Sequence, residues 1–235
     1  MAALLVAGST FSLGQWQLRR AAQKEGAQAT IESKNSLTPL DGRAVSASQK
    51  LLEEVHRRAV LEGVWQAAHT VYLDNRPMNG RSGFWVVTPM KLQGTGQVIL
   101  VQRGWVPRDF VDRTQLPPVT TPNGTVTVQG RIAPPPSKLF EFSGIETGAI
   151  RQNLDMVAFQ QETGLPLINQ VSVLQTGPAS EGLLREWASP GFGIDKHYGY
   201  AFQWFGLCGL VVLLYAWYQI VLPFRASMRA RRRGD

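Results

Sequence analysis

Apolar residues concentrate at the two ends of this 235-residue chain, and the long stretch between them is polar. Residues 200–224 carry no charged side chain and read YAFQWFGLCGLVVLLYAWYQIVLPF. At about 1.5 Å per residue, this segment exceeds a hydrocarbon core of ~30 Å, and helices of soluble proteins rarely run so long without a charge. The pattern therefore predicts a transmembrane helix over residues 197–224.

Aromatic side chains mark both edges of this predicted helix, as expected where amphipathic rings sit at headgroup depth. One edge carries Tyr198, Tyr200 and Trp204, and the other carries Trp217, Tyr218 and Phe224. Because proline cannot continue a helix, we expect the helix to end at Pro223.

The first 18 residues are also uncharged, which predicts a second transmembrane helix over residues 1–18. This length is near the lower limit of roughly 17 residues, and Gln15 and Gln17 make the segment less apolar. A cleaved signal peptide is the alternative, but such a peptide needs basic residues before its apolar run, whereas Arg19 and Arg20 follow it. We expect a retained helix, with a true start further upstream that supplies the basic residues.

The distribution of lysine and arginine predicts the orientation in the membrane. The tail, residues 225–235, has five arginines and one aspartate, so it should be cytoplasmic and able to attract anionic lipid. Residues 19–196 then form an extracytoplasmic, periplasmic domain with a net charge of +3, and the tail adds +4 to give the chain its +7. This distribution favours a lipid bilayer over nucleic acid as partner. The lack of an Arg- and Ser-rich presequence favours a bacterial plasma (inner) membrane over a mitochondrion.

The middle of the chain alternates short apolar runs with Gly, Pro and Asn, a pattern typical of strands. Strands are predicted at residues 55–64, 70–73, 84–89, 98–101, 126–131 and 168–174, and helices at residues 18–34, 46–54 and 154–163. Closely spaced strands with few helices between them favour antiparallel pairing or a barrel. The predicted fold class is two transmembrane helices, one at each terminus, flanking an α+β, mainly antiparallel β domain.

The sequence contains none of the common catalytic motifs for nucleotide, zinc or serine chemistry. A single cysteine excludes a disulfide framework, a cysteine-based zinc site and an iron–sulfur cluster. His56 and His69 lie on strand-like segments and are interpreted as ordinary surface or half-buried residues. We therefore expect that the protein is not an enzyme.

Three sequence blocks, with one apolar helix at each end of the chain, are distinctive in this order. They are LGQWQLRRAAQK at residues 13–24, DNRPMNGRSGFWVVTPMKL at 74–92 followed by VILVQRGWVP at 98–107, and HYGYAFQWFGL at 197–207. Together they make the chain resemble the surfeit locus protein 1 (Shy1-like) family of cytochrome c oxidase assembly factors. The resemblance implies a membrane-anchored protein that assists the assembly of haem-copper oxidase.

The third block implies a haem site. In bacterial members of the family a histidine at the membrane end of the second helix is implicated in binding haem a, and His197 matches it. The resemblance thus implies His197 as ligand of the haem iron, with Tyr200 and Trp204 as flat apolar surfaces and small Ala201 leaving room for the macrocycle. Lys196 or Arg20 could pair with the propionates. An interfacial aromatic belt with a solvated histidine is the alternative.

The other blocks have mainly structural interpretations. Arg20 and Lys24 share a helical face that can reach phosphate or carboxylate, or simply anchor the helix. In the second block we expect a turn at Asn75–Arg76, backbone freedom at Gly80 and Gly83, a strand that closes at Thr88–Pro89, and a bulge at Gly104 beside Trp105. Arg76 and Arg103 are the functional candidates of that block, as contacts to a partner or to haem carboxylates.

Two functions follow from the resemblance and the membrane helices. The first is an assembly factor that assists haem a delivery to, or insertion into, the catalytic subunit I of the oxidase, with haem a synthase as a further partner. The alternative is a membrane-anchored scaffold that binds oxidase subunits without binding haem. An enzyme that modifies haem is disfavoured, because it would need redox centres or acid–base clusters.

Overall fold

The computed structural model describes residues 2–109, 111–112, 115–139, 146–187 and 193–233. The chain divides into two compact units. The helical unit comprises Met1–Ala29 and Ala188–Asp235, and the β domain comprises Thr30–Trp187.

The described parts of the chain contain five α-helices and seven β-strands. The helices are α1 Ala2–Asn35, α2 Gly42–Ala47, α3 Met156–Thr163, α4 Ile194–Ala216 and α5 Leu222–Arg233. The strands are β1 Arg58–Trp65, β2 Val71–Leu73, β3 Gly83–Leu92, β4 Val98–Pro107, β5 Thr125–Ala133, β6 Ile150–Arg151 and β7 Ser172–Gln175. Single 3₁₀ turns lie at Leu51–Glu54 and Ala67–His69, and a π-helical turn at Trp217–Val221 joins α4 to α5.

Five of the strands close into a ring. The sheet runs in the order β1-β5-β7-β4-β3-β2-β6, and β1 also pairs with β3. The cycle β1-β5-β7-β4-β3-β1 is therefore a small barrel, from which β2 and β6 extend. Five of the seven pairings are antiparallel, and β2–β6 and β4–β7 are parallel, which agrees with the mainly antiparallel, barrel-like domain expected from the sequence.

The barrel is filled by side chains that alternate along its strands. In β1 every second residue is buried, so that Ala59, Leu61 and Trp65 point inward while Val60 and Val64 are exposed. These residues join one core cluster with residues of the other four barrel strands and of the segment before β1, among them Leu40, Val45, Leu51, Met90, Ile99, Val128, Ile132 and Val173. A second cluster lies beneath α3, where Phe159 packs with Leu100 and Val87.

The two longest strands, β3 and β4, extend beyond their predicted ends. The prediction that Thr88–Pro89 closes a strand is wrong, because β3 continues to Leu92 and pairs with β1 after Pro89. The predicted bulge is confirmed: Val86 pairs with Gly104 and Val87 with Gln102, which leaves one extra residue in β4 between them.

The single helix predicted over residues 46–54 is two short pieces in the structure. The Asp41 carboxylate accepts a hydrogen bond of 2.7 Å from the Ala44 N–H and caps α2, which begins before the predicted start. The 3₁₀ turn Leu51–Glu54 follows after a break. The short strand β6 was not predicted at all, since two residues leave no periodic pattern.

The helical unit contains one continuous helical rod after residue 193. Among the residues that the structure describes, Ile194–Arg229 is the one helix long and apolar enough to cross a membrane. The expectation that the helix ends at Pro223 is wrong, because Pro223 is the second residue of α5. The π-helical turn before it donates from the Leu222 N–H to the Trp217 carbonyl, and this widened register accommodates a ring that would clash within a regular helix.

At the other end of the chain, α1 is a single helix of 34 residues. It joins the apolar segment 1–18 to the predicted helix 18–34 without interruption. The transmembrane assignment of residues 1–18 stays a prediction.

Candidate functional site

Helices α1 and α4 pack against each other in antiparallel orientation. The Cys208 thiol donates to the carbonyl of Ala7 at 3.4 Å, and the rings of Phe11 and Phe205 meet edge to face at 5.6 Å between centroids. Further along α1, Gln17 contacts His197. Residue numbers rise along one helix as they fall along the other, so the contacts form one continuous line.

Most of the shielded residues of both helices follow a heptad spacing, with steps of alternately three and four residues, and Leu18, Phe205 and Ala216 are shielded beside this line. We call this line the helix seam. On α1 it comprises Ala3, Ala7, Thr10, Gly14, Gln17, Ala21 and Lys24, and on α4 it comprises Ile194, His197, Ala201, Trp204, Cys208 and Val211. This spacing is that of a left-handed helix pair, and the small residues on the α1 side allow close approach of the backbones.

Close packing leaves little space within the seam. A Cβ atom added at Gly14 would lie 2.7 Å from the ring of Phe205. Ala201 is 2% exposed. The expectation that Ala201 leaves room for a macrocycle is therefore wrong, since its small side chain is enclosed.

His197 forms a polar contact across the helix seam, near the start of α4. Its Nδ1 lies 2.7 Å from Gln17 Oε1, and the imidazole is half-buried. An amide oxygen can only accept a hydrogen bond, so in the neutral imidazole this contact favours the tautomer with the proton on Nδ1 and the lone pair on Nε2. Nε2 has no hydrogen bond to any residue within the described ranges. Histidines that ligate metals are commonly held in this manner, with the second ring nitrogen donating to a carbonyl or carboxylate oxygen.

The other two predicted site residues lie on different sides of α4. Trp204 is half-buried in the helix seam, two turns after His197, whereas Tyr200 is 52% exposed and lies off the seam. The structure thus brings His197 and Trp204 onto one face and leaves Tyr200 at its margin.

Sequence reasoning missed two partners on α1. The sequence indicates Gln17 as a polar interruption of an apolar helix at the membrane interface, but not as the partner of His197. It gives no indication that Glu25 accepts a hydrogen bond of 2.8 Å from the phenol of Tyr198. The available signal for Gln17 was its position: a polar residue in an apolar helix needs a partner. Arg20 donates to Gln23 at 3.2 Å and lies over the ring of Trp16, both within its own helix.

Arg103 is fully buried inside the β domain. Its guanidinium donates to the Thr120 carbonyl at 2.7 Å and to the Glu181 carboxylate at 3.0 Å, and it lies 4.7 Å from the Trp65 ring centroid. Arg185 also binds Glu181, because its Nη2 donates to the Glu181 carboxylate at 3.3 Å. The Nε of Arg185 donates to the Arg103 carbonyl at 2.8 Å. Burial lowers the pKa of Arg185.

Arg76 is equally enclosed. It donates at 2.8 Å to the carbonyls of Ser137 and Gln152, and its guanidinium lies over Trp85. Desolvation lowers its pKa. The expectation that Arg76 and Arg103 contact a partner or haem carboxylates is therefore wrong: both fasten loops to the barrel.

The remaining histidines are distant in sequence from the helix seam and lie in the β domain. Burial, and then the charge of Arg131, lower the pKa of His56, and His69 ends a 3₁₀ turn. Within the described ranges, no group of three or more His, Cys, Asp or Glu side chains is placed to hold a metal ion.

Comparison with known proteins places most of the chain in one family. The model of the SURF1 family matches residues 4–209. The chain is 28% identical over 102 residues to cytochrome oxidase assembly protein SHY1 of Saccharomyces cerevisiae, covering 43% of this chain and 26% of SHY1. It is 34% identical over 134 residues to a SURF1-like protein of Monosiga brevicollis, covering 52% and 49% of the two chains.

Surfeit locus protein 1 of Homo sapiens is 31% identical over 124 residues, which cover 46% of this chain and 41% of the human protein. The matched segments thus span between about a quarter and a half of the length of these relatives.

Proposed function

Because this chain belongs to the SURF1 family, we propose that it is a non-enzymatic assembly factor for a haem-copper cytochrome c oxidase. The family match over residues 4–209 carries this proposal, and the yeast relative is named for oxidase assembly. In this role the protein binds the machinery that builds the oxidase, and its partners are the catalytic subunit I and haem a synthase.

We further propose that His197 holds haem a as cargo, through Nε2, on its way to the oxidase. The hydrogen bond between Nδ1 and Gln17 supports this assignment, because in the neutral imidazole it favours the tautomer whose lone pair is on Nε2. One imidazole is a suitable ligand for cargo, since a single iron–nitrogen bond can be exchanged at the receiving site. The exposed part of the half-buried Trp204 supplies an apolar surface, and the exposed ring of Tyr200 supplies another at the margin of the seam.

The proposed location is a bacterial plasma membrane crossed by two helices, residues 1–18 and 197–224. The length and apolar composition of Ile194–Arg229 support the second crossing. The antiparallel contacts of α1 with α4, from Ala7 to Glu25, support a first crossing beside it, since the apolar start of α1 pairs with the apolar helix. In this arrangement residues 19–196 are periplasmic and residues 225–235 are cytoplasmic.

Cysteine labelling tests this topology. In a Cys208→Ala background, Arg43→Cys places a thiol on α2 of the β domain, and Ser227→Cys places one in the basic α5. A membrane-impermeant maleimide added to intact spheroplasts should modify the first thiol and spare the second until the membrane is permeabilised. Modification of the second alone would reverse the orientation and remove the basis for the proposal.

The haem proposal is tested by purifying the full chain from cells that also make haem a and recording its visible spectrum. Absorbance of haem a should accompany the wild type and be lost in His197→Ala. His69→Ala is the matched control, because it removes an imidazole from the β domain and should leave the spectrum unchanged. A spectrum without haem a, or one that persists in His197→Ala, would contradict the assignment.

One observation favours the alternative of a scaffold that binds oxidase subunits without haem. The bond between His197 and Gln17 links two helices, which is sufficient reason for a histidine in the seam. Under this alternative, subunit I would co-purify equally with the wild type and with His197→Ala, and neither preparation would contain haem a.

A further inference from the structure

Two arginines stand directly opposite each other on neighbouring strands of the β domain. Arg58 of β1 is the cross-strand partner of Arg131 of β5. Directly opposed residues of an antiparallel pair project to the same face, with Cβ atoms about 5 Å apart, and like charges in such a pair destabilise the sheet. Because Arg58 is exposed and Arg131 half-buried, solvent screens only part of this repulsion.

No compensation comes from the described parts of the protein. Neither guanidinium forms a hydrogen bond or an ion pair with a described residue, in contrast to several other arginines of the domain. Arg103, Arg108 and Arg151 each have a carboxylate partner, namely Glu181, Asp74 and Glu162. Burial lowers the pKa of Arg131, so its charge is partly desolvated without a counter-ion.

Both side chains line a cleft of about 470 Å³ on the outer face of the barrel. The remaining polar groups of this cleft belong to Asn35, Gln129 and Thr176, and none of the described residues that line it is acidic. We call this the arginine cleft. Its polar lining consists of two cations and of amide and hydroxyl groups, all of which can donate hydrogen bonds.

The backbone positions these groups from three directions. The Leu40 N–H donates to the Arg58 carbonyl, and the Leu40 carbonyl accepts from the Val60 N–H, both at 2.9 Å, so that the chain from α1 runs beside β1. On the other side, the Thr176 N–H donates to the Gln129 carbonyl at 2.9 Å. The end of α1, the β1–β5 pair and the residue after β7 thus meet at one place.

We propose that the arginine cleft binds a ligand bearing an oxyanion, either a carboxylate or a phosphate group, between Arg58 and Arg131. The planar guanidinium fork matches both groups, and charge-assisted hydrogen bonds of this kind are about twice as strong as neutral ones. The bound anion supplies the negative charge that the strand pair lacks. The cleft is distinct from the helix seam, and its ligand does not depend on the proposed handling of haem.

The test measures binding to the purified full chain by isothermal titration and by thermal unfolding. Inorganic phosphate and succinate are the soluble probes, with sodium chloride at matched ionic strength as the control. Arg58→Gln and Arg131→Gln remove one fork each, Arg131→Lys keeps the charge without the fork, and Arg43→Gln removes an equal charge from exposed α2 as the matched control. A further arm compares nanodiscs of phosphatidylcholine with and without phosphatidylglycerol, which separates a lipid headgroup from a free anion.

We expect saturable binding of at least one probe to the wild type and to Arg43→Gln, and a loss of affinity of about tenfold or more in each glutamine variant. Stabilisation that depends on both arginines only in phosphatidylglycerol discs would support the same site with a lipid headgroup as the ligand. In the absence of ligand, the glutamine variants should unfold at the same temperature as the wild type or higher, because one repulsion is removed.

Binding of equal strength in the wild type and in both glutamine variants would overturn the proposal. The absence of any saturable response to phosphate, succinate and phosphatidylglycerol would overturn it as well. A lower unfolding temperature of Arg58→Gln and of Arg131→Lys without ligand would also contradict it, because the arginines would then stabilise the fold by themselves.

Discussion

The side chains of Gln17 and His197 are joined by a hydrogen bond of 2.7 Å although 180 residues separate them in the sequence. This contact is one of several that join α1 to α4, and in the neutral imidazole it favours the tautomer with the proton on Nδ1. The chemistry of His197 thus depends on a residue of another helix.

Replacing Gln17 with leucine should weaken any metal ligation by His197. The substitution removes the acceptor for Nδ1–H and frees both the tautomer and the ring orientation, changes that typically cost about 10- to 100-fold in metal affinity. The measurement is the haem a content per protein after purification at a series of protein concentrations.

Gln15→Leu is the matched control, because Gln15 is an exposed neighbour on the same helix. Equal haem content in the two variants would show that the Gln17 contact serves helix pairing alone.

The antiparallel helix seam predicts a specific cross-link. Cys208 is the sole cysteine of the chain and contacts the Ala7 carbonyl. Ala7→Cys should therefore form an intramolecular disulfide upon mild oxidation, visible as a mobility shift that reductant reverses. Leu5→Cys, whose position is exposed, should cross-link much less. Equal yields from both positions would contradict the seam.

Gly14→Leu should disrupt the same seam. A Cβ at this position already lies 2.7 Å from the ring of Phe205, so a larger side chain must push the helices apart. We expect a severalfold lower yield of the Ala7→Cys cross-link in this background. Gly8→Leu has open space around its Cβ and should leave the yield unchanged.

Glu181→Gln should destabilise the β domain by about 3 kcal/mol, because it leaves the fully buried Arg103 without a counter-charge. The measurement is the free energy of unfolding of the full chain in urea. Glu53→Gln is the comparison, since its ion pair with Lys50 is exposed and should be worth less than about 1 kcal/mol. Similar losses in both variants would contradict the role of burial.

Acid should weaken the cap of α3. The hydrogen bond from Lys138, followed by the bond from the Ala158 N–H, lowers the pKa of Asp155 from its ordinary value of 3.8. A lowered carboxyl pKa stabilises the fold above about pH 4, and this stability is lost as the pH falls through the folded-state pKa.

The urea midpoint, measured from pH 2.5 to 7, should therefore fall less steeply on the acid side in Asp155→Asn than in the wild type. Asp155→Ala should cost about 1 kcal/mol at neutral pH, because it removes the cap itself. If the urea midpoint of Asp155→Asn fell with acid as steeply as that of the wild type, other carboxyl groups would be responsible for the loss of stability at low pH.

Sequence periodicity was informative where a strand has one solvated face. The alternation along β1 is clear because only one of its faces is buried. It failed for β3 and β4, whose central residues are buried on both faces and whose runs include Pro89, Arg103 and Gly104. A proline and a charge there resemble loop residues until the barrel supplies their partners.

The sequence predicted His197 as a site residue, but it did not predict which residues surround it. The spacing of residues along α4 indicates one face, but it does not say which helix covers that face. Only the pairing of α1 with α4 shows that Ala201 is enclosed and that Gln17 accepts a hydrogen bond from the imidazole. Likewise, the arginine pair on β1 and β5 becomes visible only once the register of the strands is known.

The ring of five strands has a consequence for synthesis of the chain. Strand β7 is inserted between β4 and β5, so both of these strands keep an open edge until residues 172–175 have been made. A chain that stops earlier exposes two rows of unpaired backbone groups, which are templates for aggregation. Premature stop codons before residue 175 should therefore yield insoluble or rapidly degraded fragments, and the domain can assemble only after β7 has been translated.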